Sequence, residues 1–157
     1  MNQADRLALA DKLAAEHTRY VDFVRTATVL LGLLPMMYGG LTWVYGDRLW
    51  AGNAVYGTAM GVPGAPQSWG VLFVTLGVGV IASARLGRRR CIAGFTLASA
   101  LMLAMFMVTF LTEVVGNGQV QALPPALVYG IVSLLFLSRS RMAWVGRRPR
   151  RQKGSAG

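Results

Sequence analysis

Acidic residues are scarce in this sequence: Asp and Glu number 6 against 16 Lys and Arg, with a single histidine and a single cysteine. A lone Cys91 excludes an intrachain disulfide and a cysteine-built metal cluster. It follows three arginines, which would favour its thiolate in water, but an inert buried thiol at a helix start is the preferred reading. His17 has no second histidine or cysteine with which to share a metal, so it reads as a packed or interfacial side chain. Neither a Ser–His–Asp arrangement, a zinc spacing, a phosphate-binding glycine loop nor a dinucleotide fingerprint is present. A non-enzymatic protein with no cofactor and no metal is therefore expected. A secretory signal is not expected either, because the first 25 residues carry eight charges and lack an apolar centre.

What the chain does have is apolar length. Hydrophobic residues make up 54% of 157 residues, and the mean hydropathy is +0.46. They are concentrated in four runs, residues 26–45, 68–84, 91–112 and 120–137, none of which contains Asp, Glu, Lys, Arg or His. Each run is near the roughly 20 residues that a helix needs to cross a bilayer. The fold expected is an all-α membrane protein with four transmembrane helices in two hairpins. The lack of ionisable groups inside the spans argues against a proton-driven pump, whose relay needs one. Glu113, at the outer end of the third span, reads as an interfacial carboxylate in a turn covering residues 113–119, with a gate or pore-mouth charge as the alternative.

The segment before the first span, residues 1–25, predicts an amphipathic cytoplasmic helix. Leu9, Leu13, His17, Tyr20, Val21 and Val24 share one face, and Asp11, Lys12, Thr18, Arg19 and Asp22 the other. Its four acids and four bases cancel, so docking on a partner helix or lying at the interface is expected rather than electrostatic anchoring. Pro35 is a candidate kink in the first span. The connection 46–67 holds five glycines and two prolines and is expected to lie against the membrane surface, with a short re-entrant segment as the alternative. Trp43, Tyr45, Trp50 and Trp69 read as interfacial aromatics.

Charge placement predicts orientation. The N-terminal segment, the 85–90 turn and the tail 138–157 together hold 15 of the 16 basic residues, while the two opposite connections hold only Arg48. By the positive-inside tendency both termini are expected in the cytoplasm, in a bacterial inner membrane. Arg85, Arg88, Arg89 and Arg90 in the turn, and Arg139, Arg141, Arg147, Arg148, Arg150, Arg151 and Lys153 in the tail, read as basic clusters at the membrane surface. Topology setting and attraction to anionic lipid are preferred for them over nucleic-acid tethering. Small-residue pairs at Gly79/Ser83, Gly94/Ala98, Ala100/Ala104 and Ala126/Gly130 are expected to let helices approach closely. Thr75, Ser99, Thr109 and Ser133 are candidates for hydrogen bonds between helices.

The functional expectation is an integral inner-membrane protein acting through helix–helix association, with itself as a homo-oligomer or with another membrane protein. The alternatives are a phage holin-type pore former and a channel or carrier for a neutral solute.

Overall fold

The computed structural model describes residues 3–50 and 52–145. Among them there is no strand, and four helices are long and apolar enough to cross a membrane. The elements are α1 (Gln3–Trp50), a 3₁₀ turn (Ala54–Tyr56), the short α2 (Gly57–Met60), α3 (Gln67–Arg85), α4 (Arg89–Asn117), a second 3₁₀ turn (Val120–Ala122) and α5 (Leu123–Val145).

The N-terminal segment and the first span are one helix. No breaker falls near residue 25, and Asp5 in the first turn and Arg48 in the last both complement the helix dipole. At 1.5 Å per residue the 48 residues of α1 extend about 72 Å, more than twice the roughly 30 Å hydrocarbon thickness. Pro35 sits inside this helix and is fully buried. α4 likewise runs on past the turn expected at 113–119. Asn117 Nδ2 donates to Glu113 Oε2 one helical turn back (2.6 Å), and only Gly118, at φ +65°, ends the helix in the left-handed conformation that glycine tolerates. α5 continues through residues 138–145 of the expected tail, so Arg139 and Arg141 are helical residues rather than part of a free tail.

Two antiparallel helix pairs build the bundle. In the first, the buried positions of α1 up to residue 46 are Thr28, Gly32, Pro35, Gly39, Thr42 and Gly46, alternating by four and three residues. They face Gly70, Gly77 and Ala84 of α3, spaced by seven and also buried. The backbones touch: a Cβ on Gly77 would lie 2.6 Å from the Gly32 carbonyl oxygen, and one on Gly39 would lie 2.6 Å from that of Gly70. The second pair sets Ala93 and Ala100 of α4 against Ser140 and Ser133 of α5. Ser140 Oγ donates to the Ala93 carbonyl (2.9 Å) and Ser133 Oγ to the Ala100 carbonyl (2.8 Å). Close approach lets dispersion and hydrogen bonds replace a hydrophobic drive that lipid does not supply.

Several expected contacts fall elsewhere. Of the four hydroxyls expected to bridge helices only Ser133 does; Thr75, Ser99 and Thr109 donate to carbonyls three or four residues back in their own helices. Such back-bonding satisfies a hydroxyl in lipid without needing a partner helix. Gly79 lies against the Phe95 ring and Gly130 against the Met107 sulfur, while Gly94 meets nothing within 4 Å.

The two pairs join through α3 and α4 around a cluster of rings. Phe106 is fully buried at its centre, with Trp69 (4.7 Å between centroids), Phe73 (5.2 Å), Tyr129 (5.5 Å) and Trp50 (6.0 Å) packed about it, mostly edge-on or tilted. The connection after α1 folds over this cluster. Asn53 accepts from the Val55 amide, Tyr56 stacks on Trp50 at 4.8 Å, and the Trp69 indole donates to the Ala59 carbonyl at 2.9 Å. This corrects the place given to two tryptophans: Trp50 and Trp69 are 2% and 5% exposed and belong to the core, because each ring finds aromatic neighbours there and the Trp69 N–H a carbonyl. Trp43 and Tyr45 remain on the outer surface.

Candidate functional site

α1 and α5, the first and last spanning helices, pack only lightly on one another, and the seam between them opens at two levels. Toward the aromatic end lies an apolar cleft of about 360 Å³, walled by Leu34, Pro35 and Tyr38 of α1 and by Pro125, Val128, Tyr129 and Val132 of α5, with Phe73 and Leu103 as floor. Tyr38 and Tyr129 set their rings edge-on at 6.1 Å. Tyr38 Oη and the neighbouring Thr42 Oγ1 are buried with no hydrogen-bond partner among the described residues. Buried hydroxyls are ordinarily satisfied; of the residues lining this otherwise greasy cleft, only Tyr38 and Tyr129 carry a hydroxyl.

At the other end, the same two helices and the turn between α3 and α4 enclose a pocket of about 430 Å³. Arg25 of α1, Arg89 of α4 and Arg139 of α5 line it with His17 and Tyr20, over walls that include Val24, Ile92 and Ala143. None of the lining residues is acidic. Arg139 crosses the seam: its Nε donates to Thr28 Oγ1 at 2.6 Å, and that hydroxyl donates in turn to the Val24 carbonyl at 2.6 Å. One arginine nitrogen thereby ties α5 to α1 between the pocket and the cleft. Arg25 reaches across to α3, donating from an Nη to the Arg85 carbonyl at 3.2 Å.

The basic residues singled out from sequence thus divide. Arg89, itself exposed, and the half-buried Arg139 line the pocket, whereas Arg85, Arg88, Arg90 and Arg141 are exposed and do not. Arg147, Arg148, Arg150, Arg151 and Lys153 lie outside the described residues. Arg25 joins the pocket from the amphipathic segment, where it reads as an ordinary charged-face residue. No local pattern flags it, because its neighbours in space, Gly87 and Arg139, are 62 and 114 positions away.

Glu113 also differs from its expected place. It is 3% exposed, not an interfacial side chain in a turn. Oε1 accepts from the Thr58 amide (2.6 Å) and the Thr58 hydroxyl (2.5 Å), and Oε2 from Asn117 Nδ2. The carboxylate sits at the first turn of α2, close enough to Gly57 that a Cβ there would come within 3.0 Å of Oε1. It clips the long connection onto α4. Cys91 is half-buried and free. Among the described residues no three His, Cys, Asp or Glu side chains come together as a metal site would require. No protein-family profile, no curated protein and no solved structure matches this chain.

Proposed function

We propose that this chain is a non-enzymatic multi-pass protein of a bacterial inner membrane that works by helix–helix association, with a membrane partner or with itself, through the N-terminal part of α1. The length of α1 carries this reading. Arg25 is level with the end of α3, so the 22 residues before it, 3–24, reach about 33 Å beyond that end. Leu7, Leu9, Leu13, Tyr20 and Val21 are all exposed along that extension. An apolar stripe of this length on a helix in water favours a second surface that covers it. The rings that fill the centre of the bundle weigh against an aqueous path through one copy, and so against the solute-carrier alternative.

Placing Asp at both Leu9 and Leu13 puts two charges on the apolar stripe without touching the basic pocket. Thr18→Asp puts one on the opposite face. In cells, the double variant is expected to lose its crosslinked or co-purified assembly, while Thr18→Asp keeps it. Equal assembly of the two variants would sink the proposal.

Both termini are proposed to be cytoplasmic, on the strength of the basic-residue split. Reporters active only outside the cytoplasm, fused after Gly57, Gly87, Gly118 and Gly154, are expected to be active at Gly57 and Gly118 alone. Activity at Gly154 would refute the orientation.

A further inference from the structure

Topology-setting arginines need only lie on one side of the membrane; nothing requires them to converge. Here three do, from three different helices: Arg25, Arg89 and Arg139. Arg89 and Arg139 lie close enough to repel. Arg139 is half-buried and Arg25 and Arg89 are exposed, over walls that are mostly apolar.

We propose that this pocket binds the phosphate headgroup of an anionic phospholipid, with an acyl chain running along the outside of the α1–α5 seam, past the Arg139–Thr28 bond, toward the apolar cleft. Guanidinium groups match phosphate oxygens with paired N–H donors, and Arg139 commits only its Nε to Thr28. Basic pockets between spanning helices are known to take such headgroups. The spacing suits a lipid as well. Nine residues of α1 separate Arg25 at the pocket from Leu34 at the cleft, about 14 Å along the helix. A chain reaching to the middle of the bilayer covers about 15 Å, half the hydrocarbon core. A headgroup held at the arginines therefore lays its tail along two apolar helices and ends it in a cleft of about 360 Å³. The inference goes beyond helix–helix association and stands whether or not the N-terminal stripe has a partner.

The test uses the full-length protein in detergent with phosphatidylglycerol or phosphatidylcholine added, retained lipid being counted by native mass spectrometry. Wild type is expected to retain phosphatidylglycerol in preference to phosphatidylcholine. Arg89→Gln/Arg139→Gln is expected to weaken that retention about tenfold or more, because two basic contacts to one phosphate are lost. Arg88→Gln/Arg90→Gln removes the same charge outside the pocket and is expected to retain lipid as wild type does. Equal losses in the two double variants, or no preference between the lipids, would overturn the proposal. Should Arg89→Gln/Arg139→Gln fail to fold, Arg25→Gln/Arg89→Gln keeps the Arg139–Thr28 hydrogen bond and takes its place with the same expected loss. A soluble arm separates the two phosphate sources. Inorganic phosphate and glycerol phosphate at millimolar concentration are expected to leave phosphatidylglycerol bound, and displacement by either would assign the pocket to a free anion instead.

Discussion

Gly77→Val is expected to separate α1 from α3, while Gly40→Ala leaves the pair intact. An added Cβ at Gly77 falls 2.6 Å from both the Gly32 carbonyl oxygen and the Met36 nitrogen. Both are backbone atoms of a helix and cannot swing aside as a side chain does, so the helices must move apart along the seam. Overpacking a well-packed interface costs about 1–3 kcal/mol. The upper end applies here, because the Gly39–Gly70 contact on the same two helices opens as well. Lipid gives the separated helices little reason to close again. Gly40 follows Gly39 in the chain, yet a Cβ there meets nothing within 4 Å. Thermal melts in detergent, followed by circular dichroism and by labelling of cysteines placed on the seam, distinguish the outcomes. Identical melting of Gly77→Val and wild type would mean that the two backbones do not touch.

Glu113→Ala is expected to release the connection between α1 and α3 from the end of α4. The substitution removes the acceptor for the Thr58 amide, the Thr58 hydroxyl and the Asn117 amide together. Hydrogen bonds to a charged group each contribute about 1.5–3 kcal/mol. Water entering the opened site offsets much of the sum, leaving a net local loss of about 2 kcal/mol. At 1.4 kcal/mol per decade, that is roughly 30-fold faster hydrogen exchange over the α2 segment. Glu113→Gln keeps one carbonyl acceptor for Thr58 and is expected to fall between the two. Exchange measured on a peptide spanning residues 54–62 reads all three proteins. The same rate in each would show that the Trp69–Ala59 hydrogen bond and the Tyr56–Trp50 stack hold the connection unaided.

Legibility from sequence ran out where contacts become non-local. The heptad of small residues Gly32, Gly39, Gly46 and its partner Gly70, Gly77, Ala84 is written in the chain, and a search at a spacing of seven finds it. A search at four-residue spacing instead picks out Gly94, which faces nothing within 4 Å. Trp50 and Trp69 look like interface anchors because they sit near the ends of apolar runs. Only the ring of Phe106, more than thirty positions farther on, turns them inward. Glu113 is similar: nothing adjacent in sequence says that Thr58, 55 residues earlier, will supply two donors to its carboxylate.

By itself, the sequence determined that four segments are long and apolar enough to span a membrane, and roughly where they lie. That is because the bilayer acts on each helix separately: length and side-chain hydrophobicity are properties of one segment, and so is the need to satisfy the backbone internally. Tertiary structure alone decided which faces meet. Glycine against glycine at 2.6 Å, a carboxylate closed over by Thr58, and three arginines gathered on one pocket depend on volumes and charges brought together from different helices. No single segment encodes those distances, since each exists only once its partner helix has docked.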